Sequence, residues 1–211
     1  AWYIRLLPNV QKVFKVLYKT NQLITGFDGS NYMSSNYEMK KRDHNKTCWA
    51  HVDQAGKHSK HFDGYQSFVS LTRNEHKTMR IWKKTHNFYY KYCKKHNLLK
   101  SNSRFQKIEK DTIDILDTER VSLKTDLSVN SGDMVIWDSR LFHQNTYGER
   151  GNGEERRVQY ISFRSKNHPL NTPSQRQKRL KYFHERRTSA HDPIIRVNSE
   201  QPQTYGNSNL L

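Results

Sequence analysis

The sequence predicts a mainly β fold with flanking helices, arranged as a jelly roll or barrel, and three observations lead to this prediction. Short runs rich in β-branched and aromatic residues recur between turn signals, and the clearest helical patterns lie towards the two ends of the chain. Strands do not alternate regularly with helices, so a parallel βαβ sheet is disfavoured. Apolar residues make up only 33% of the 211 residues, but 9 Phe, 12 Tyr and 4 Trp supply the large buried area that a layered β core requires.

The N-terminal half begins with a helix. After a proline suited to the first turn, Val10, Phe14 and Leu17 recur on one helical stripe. Two later β-rich runs are joined by a polar turn and are therefore predicted to pair as antiparallel strands. The predicted elements of this half are, in order, a helix at about 8–20, a strand at 23–27, a loop at 34–46, a strand end at 48–53, the paired strands at 65–71 and 78–82, and a helical, aromatic-rich segment at 85–96.

The C-terminal half is dominated by one apolar run, Met134–Trp137, which follows a Ser-Gly-Asp turn and is typical of a buried strand. The predicted elements of this half are short strands near 112–116 and 119–124, the buried strand at 134–137, a strand at 157–163, a very basic helix at 173–187 and a polar tail from about 198. We therefore expect one jelly-roll domain over 1–197, with the tail 198–211 outside it.

The chain is strongly basic, since 37 Lys and Arg against 20 Asp and Glu leave a net charge of +17. Basic residues are spread along the sequence, with short clusters at 40–42 and 176–187. A solvated basic surface is therefore favoured, and nucleic acid stays an alternative partner. The expected partner is a small-molecule substrate, which a basic rim allows to be anionic, while the oligomeric state does not follow from the sequence.

Membrane insertion and secretion are both disfavoured by the sequence. No apolar run approaches the roughly 20 residues that a transmembrane helix needs, and the first residues do not form a recognisable signal peptide. The two cysteines, Cys48 and Cys93, form one bridge at most, so a disulfide scaffold is excluded. We expect a cytoplasmic, reducing environment and no membrane partner.

One pattern of residues points to chemistry. His51 and Asp53 are separated by one residue, so in a strand their side chains share one face and can bind one metal ion from one side. His143, which follows the apolar run 134–137, is the best candidate for a second imidazole. Two histidines and one carboxylate form the facial triad of non-haem Fe(II) oxygenases, which leaves open positions on the ion. An H-x-D pair alone is weak evidence in a chain with 11 histidines.

The sequence around this candidate resembles a known enzyme family. The segment SGDMVIWDSRLFHQN at 131–145, followed by RRVQYISF at 156–163, is similar to the distal half of Fe(II)/2-oxoglutarate dioxygenases of the phytanoyl-CoA dioxygenase-like family. The resemblance extends over most of the chain, to a branch found in fungi, algae and large DNA viruses, through the segments 23–29, 49–54, 65–71, 85–86 and 187–191. It implies a double-stranded β-helix (jelly roll, cupin-like) with iron at its mouth.

The resemblance also implies an activity and its participants. With Fe(II) bound by His51, Asp53 and His143, the cosubstrates 2-oxoglutarate and O2 would yield succinate and CO2 while a small-molecule or acyl-type substrate is hydroxylated. Asp53 favours hydroxylation, because related halogenases lack this carboxylate. Trp49 and Trp137, beside the ligand strands, are interpreted as core residues or as dry walls of the site.

The cosubstrate residues are less well determined. In the family an arginine some eleven to fourteen positions after the distal histidine pairs with the far carboxylate of 2-oxoglutarate, and both Arg156 and Arg157 fall in this interval. The resemblance favours Arg156, although the sequence does not decide which of the two points inward. Three further polar residues are candidates for the cosubstrate pocket, namely Asn145, Gln54 and Gln66.

Two other interpretations remain open at this point. A tetrahedral zinc site in a nucleic-acid-binding module would use Cys48, His51, Cys93 and His96. Alternatively, the jelly roll is a non-catalytic structural or binding protein with a vestigial metal site.

Overall fold

The structure is a computed structural model, and it describes residues 1–35, 49–119, 122–148, 151–187 and 191–194. The described helices are α1 (Trp2–Leu6), α2 (Pro8–Tyr18), α3 (Tyr89–Lys95), α4 (Lys110–Thr118) and α5 (Pro173–His184), with short 3-10 helices at Gly56–His58 and Thr85–Asn87. The described strands are β1 (Leu23–Thr25), β2 (Ser30–Met33), β3 (His51–Val52), β4 (Tyr65–Ser70), β5 (Met79–Trp82), β6 (Gln106–Lys107), β7 (Lys124–Asp126), β8 (Met134–Asp138), β9 (His143–Asn145), β10 (Arg156–Ile161) and β11 (Phe163–Ser165).

The strand order is that of a jelly roll. A five-stranded antiparallel sheet has the order β6-β3-β9-β5-β7, a four-stranded sheet has the order β2-β10-β4-β8, and β1 pairs with β11. Without β1, β6 and β11, the remaining eight strands are ordered first-eighth-third-sixth in one sheet and second-seventh-fourth-fifth in the other. Eight strands distributed in this way form a jelly roll. The predicted mainly β fold with flanking helices is confirmed.

The chain divides into two compact units. The first contains Ala1–Ser30, Gln66–Val69 and the described part of Gln159–Leu211, and the second contains the described residues of Asn31–Tyr65 and Ser70–Val158. Strands β2, β4 and β10 each include residues of both units.

The second unit is built around a hydrophobic cluster under the five-stranded sheet. In this cluster Val52 is 0% exposed and Phe142 is 1% exposed. They are the chain neighbours of His51 and His143, and side chains alternate between the faces of a strand. Burial of such residues contributes about 1.5–3 kcal/mol each, and it directs the two histidines to the opposite face of the sheet. The remaining buried members of the cluster are Ala50, Trp82, Tyr89, Tyr92, Cys93, Ile108, Ile113 and Leu116.

The first unit has its own apolar and ionic contacts. Helix α2 packs against β11, with the fully buried ring of Phe14 4.8 Å from that of Phe163 between centroids. In β11, Arg164 donates to the carboxylate of Asp192 from Nη2 at 2.5 Å and from Nε at 3.1 Å, and both side chains are buried. Both bonds reach the same oxygen, Oδ2, and charge-assisted hydrogen bonds are stronger than those between neutral groups.

Two predictions of local structure are wrong. The runs 65–71 and 78–82 form β4 and β5, but these strands belong to different sheets and do not pair. The connection between them crosses from one sheet to the other. A polar turn in the sequence does not distinguish such a crossover from a hairpin. The residues 112–116, predicted as a strand, belong to helix α4, because Ile113 and Leu116 share a buried face at a spacing of three and Lys110 pairs with Asp114 at a spacing of four.

Other predicted elements agree with the structure. Helices α2 and α5, the strands at 23–25, 65–70, 79–82 and 156–161, and the helix within 85–96 lie where they are expected. Strand β8 also forms as predicted, although Trp137 alone among its residues is buried. Most of the loop 34–46 and the whole tail 198–211 lie outside the described residues. None of the described helices combines the length and apolar character needed to cross a bilayer.

Gly56 provides a test of the packing after the ligand strand. A Cβ at this position would lie 2.1 Å from the backbone carbonyl oxygen of Leu98. We expect Gly56→Ala to lower the free energy of unfolding by about 1–3 kcal/mol, because the backbone must shift. Chemical denaturation measures this change. Gly29→Ala is the matched control, since nothing lies within 4 Å of its added Cβ. Equal losses in the two variants would contradict the close contact.

Candidate metal centre

The pairing of β3 with β9 brings the two histidines together. His51 lies directly opposite His143 in the antiparallel register, and His143 in turn lies opposite Ile81 of β5. Residues opposite each other on neighbouring strands have Cβ atoms about 4.5–5.5 Å apart. The two imidazoles therefore share one face of the sheet, with their ring centroids 4.3 Å apart.

Asp53 completes the cluster from the residue after β3. Its Oδ2 lies 3.2 Å from Nε2 of His143 and 3.7 Å from Nε2 of His51. One ligand atom from each of the three residues lies within 4.8 Å of the other two. Ligands in adjacent positions of an octahedral ion, with bonds of about 2.1 Å, are about 3 Å apart. The predicted convergence of His51, Asp53 and His143 is observed.

Backbone carbonyls set the tautomer of both rings. Nδ1 of His51 is 3.2 Å from the carbonyl oxygen of Trp49, and Nδ1 of His143 is 2.9 Å from that of Leu141. A carbonyl oxygen only accepts, so Nδ1 carries the hydrogen, and in the neutral ring the lone pair is on Nε2. A histidine that donates its second nitrogen in this way is oriented as a metal ligand. In both rings Nε2 is thus the nitrogen nearest Asp53 and the one available to a metal ion.

Aromatic rings enclose the imidazoles. Trp49 stacks on His51 at 5.0 Å between centroids, and Phe105 stacks on the same ring at 4.7 Å. Trp137 lies 5.4 Å from the ring of His143. Trp49 and Trp137 are therefore next to the cluster, and Phe105 is a neighbour that the sequence analysis missed. Apolar walls restrict solvent access and influence the properties of a metal site.

Ser139 and Gln54 hold the loop that carries Asp53. The backbone N–H of Asp53 donates to the carbonyl oxygen of Ser139 at 3.2 Å, and the hydroxyl of Ser139 donates to Oε1 of Gln54 at 2.7 Å. Nε2 of Gln54 donates to the carbonyl oxygens of His58 and His61 at 2.7 and 2.8 Å. Both amide hydrogens of Gln54 are therefore used within the fold. The sequence showed no signal for Ser139, because its role depends on contacts between distant segments.

The other cosubstrate candidates occupy different positions. Asn145 is two residues after His143 in β9, opposite Met79 of β5, and thus shares the face of His143. Gln66 is a buried residue of β4 in the first unit, and its Oε1 has no hydrogen-bond partner among the residues that the structure describes. It is not a member of the His-Asp-His cluster.

The two arginines of β10 point to opposite faces. Arg156 is 1% exposed, and its Nη1 donates to Oδ1 of Asn31 at 2.6 Å. Arg157 has a side chain that is 55% exposed and pairs with Glu155 at 2.7 Å. A strand alternates its faces, so only one of the two neighbours faces inward. The inward one is Arg156.

The zinc interpretation is not supported in the part of the chain that the structure describes. Cys93 is fully buried in the hydrophobic cluster, and burial raises the pKa of its thiol. Zinc binds the thiolate, which such a site disfavours. Cys48 lies outside the described residues. Within the described ranges, His51, Asp53 and His143 form the one group of three or more His, Cys, Asp or Glu side chains that could hold a metal ion together.

The donor set of this group fits a single divalent transition-metal ion. It offers two imidazole nitrogens and one carboxylate oxygen on one side of the ion. This composition is that of non-haem Fe(II) sites with open positions and also of some catalytic zinc sites, whereas structural zinc sites are closed by four ligands.

No protein-family model matches the chain, and no curated protein matches it. Solved structures similar to it include EvdMO1 (12% identity, TM-score 0.46, covering 76% of this chain and 31% of that one). They also include the non-haem α-ketoglutarate-dependent epimerase SnoN from nogalamycin biosynthesis (10% identity, TM-score 0.41, covering 77% of this chain and 54% of that one). A third is AviO1 from Streptomyces viridochromogenes Tue57 (13% identity, TM-score 0.40, covering 78% of this chain and 60% of that one). The chain thus spans between about a third and three fifths of the length of these proteins.

Metal affinity tests the cluster directly. We expect Asp53→Asn to weaken Fe(II) binding by more than about 100-fold, because loss of an outer-shell partner alone costs 10- to 100-fold. Anaerobic calorimetric titration with Fe(II) measures the affinity. Asp114→Asn, which removes an exposed carboxylate of α4, is the matched control and is expected to bind normally. Equal affinities of wild type and Asp53→Asn would refute the assignment of Asp53 as a ligand.

Proposed function

We propose that the chain is an Fe(II)- and 2-oxoglutarate-dependent oxygenase that hydroxylates a small-molecule or acyl-type substrate and releases succinate and CO2. The observation that carries this proposal is the convergence of His51, Asp53 and His143, with both Nδ1 atoms held by carbonyls. We assign it to the phytanoyl-CoA dioxygenase-like family on the sequence resemblance alone.

Each of the three residues would supply one ligand to the ion. His51 and His143 present neutral nitrogen donors, and Asp53 supplies the one negative charge of the set. The remaining coordination positions are available to cosubstrate and oxygen. When bound, Fe(II) and 2-oxoglutarate supply the oxidising chemistry, in which O2 converts 2-oxoglutarate to succinate and CO2 while one oxygen atom enters a substrate C–H bond.

Arg156 is the residue we propose for the far carboxylate of 2-oxoglutarate. Its guanidinium is buried, and a planar fork binds a carboxylate through two parallel hydrogen bonds that lysine cannot reproduce. Asn31 orients this guanidinium by accepting from Nη1. We assign Arg157 to the surface, where Glu155 neutralises it.

Among the polar candidates, Asn145 best suits a contact with the cosubstrate, because it shares the face of His143. Gln54 is better explained as a positioning residue, because its amide hydrogens are used on the loop after Asp53. Gln66 stays a candidate on the resemblance. The aromatic walls formed by Trp49, Phe105 and Trp137 suit an organic substrate with apolar carbon at the target position.

Succinate formation tests the activity. The protein loaded with Fe(II) under anaerobic conditions is given 2-oxoglutarate and then O2, first alone and then with a metabolite library. We expect slow uncoupled succinate release, accelerated by the substrate, and none from His51→Ala. Before O2 is added, a visible absorption band of the Fe(II) chelate is expected. Fe(II) binding without this band and without succinate would instead indicate a non-catalytic scaffold.

Conservative substitution distinguishes the two arginines. We expect Arg156→Lys to raise the KM for 2-oxoglutarate by about 10- to 100-fold, because a charged, two-point contact becomes a single one. Arg157→Lys is the matched control and is expected to change KM less than twofold. Steady-state succinate release at varied 2-oxoglutarate gives both values. A larger effect in Arg157→Lys would transfer the role to that residue.

A further inference from the structure

The first unit contains a cavity with no part in the proposed activity. Its volume is about 660 Å³, and all of its lining residues belong to that unit. This is within the range of about 300–1,000 Å³ that is typical of small-molecule sites. The lining residues used here are Trp2, Phe27, Phe183, Arg5, Arg186 and Arg187.

Three aromatic rings form an apolar wall of this cavity. The centroid of Trp2 is 5.5 Å from those of Phe27 and Phe183, and the latter two are 6.0 Å apart. Trp2 is 40% exposed and Phe183 is 49% exposed, and the guanidinium of Arg5 lies over the Trp2 ring, 5.4 Å from its centroid. Such rings bind planar aromatic groups by stacking or edge-to-face contact.

Arg5 places a buried positive charge at the same cavity. Its side chain is only 2% exposed, and Nη2 donates to the backbone carbonyls of Asp28 and, at 3.4 Å, Tyr160. Its Nε is buried and has no hydrogen-bond partner within the described residues. Burial lowers the pKa of Arg5, and the charge of Asp28 only partly offsets this. A buried cation is costly, and an anion bound in the cavity that Arg5 lines would offset this cost electrostatically.

Two more arginines are held at the cavity by the end of α5. Arg186 N–H donates to the carbonyl of Phe183 and Arg187 N–H to that of Tyr182, which is the Schellman pattern of helix termination. Arg186 occupies the left-handed position with a φ of 54°, where glycine is the usual residue. The cavity lining thus contains three arginines and one acid, Asp28, which pairs with His191, while Arg187 pairs with Glu185 outside the lining.

We propose that this cavity binds a small aromatic molecule carrying a phosphate group, of which a nucleoside monophosphate is the representative case. The aromatic ring of the ligand contacts Trp2 and Phe183, and the phosphate accepts hydrogen bonds from the arginines. Arginine suits this role because its planar fork matches phosphate oxygens and remains charged at all physiological pH values. The site is independent of the metal centre, so its test does not depend on oxygenase activity.

The test is calorimetric titration of the full chain with AMP, phenyl phosphate, adenosine and inorganic phosphate. We expect at least one of the two aromatic phosphates to bind at least tenfold more tightly than adenosine and inorganic phosphate. Tighter binding of AMP identifies a nucleotide site, and equal binding of phenyl phosphate identifies a general aryl phosphate site. Either result supports the proposal.

The decisive variant is Arg186→Gly, because glycine suits the left-handed position and the helix end is retained. We expect it to weaken binding of the aromatic phosphate about tenfold while the melting temperature stays equal or rises. Arg73→Ala, which removes an arginine whose side chain is 71% exposed in the second unit, is the matched control for net charge. It is expected to change the affinity less than twofold.

Two outcomes would overturn the proposal. The first is binding of AMP and phenyl phosphate no tighter than that of inorganic phosphate. The second is equal weakening by Arg73→Ala and Arg186→Gly, which would reduce the interaction to the net charge of the protein.

Discussion

The register between β3 and β9 is the constraint on which the candidate metal centre depends. His51 faces His143 across this pair, and the adjacent residues Val52 and Phe142 enter the hydrophobic cluster. A slip of one residue would move every side chain of the strand to the other face. It would place an imidazole in the apolar cluster and Val52 at the metal position. The apolar packing under the sheet therefore also determines the geometry of the site above it.

Backbone carbonyls orient the two histidine ligands. Carbonyls of Trp49 and Leu141, each two residues before its histidine, accept from Nδ1. The backbone just before each ligand strand thus orients the histidine of that strand. Asp53 depends instead on Ser139, which binds the backbone of the loop and, through Gln54, ties that loop to the turn at 58–61. Positioning of the carboxylate is accordingly a property of the tertiary structure.

The net charge of +17 has a different meaning once the burial of individual cations is known. Lys77 is 1% exposed and donates to the carbonyls of Ser34, Ser35 and Glu154. Arg164 is buried against Asp192, and Arg156 and Arg5 are buried as well. Lys77 and Arg164 therefore serve as internal hydrogen-bond donors, and their acceptors offset the cost of desolvation. These four buried cations count in the total charge but do not belong to the basic surface.

The sequence by itself determined the local features of this protein. Alternation put His51 and Asp53 on one face, and the apolar stripe at Val10 and Phe14 identified α2, because both signals depend only on residues close in the chain. The position of His143 after the apolar run 134–137 made it the best candidate for a second imidazole, and the resemblance added a pair of arginines. Only the tertiary structure decided that Arg156 rather than Arg157 faces inward, that β4 and β5 belong to different sheets, and that Gln54 is used to hold a loop. These outcomes depend on which distant segments meet, and a local pattern contains no information about the partner across the sheet.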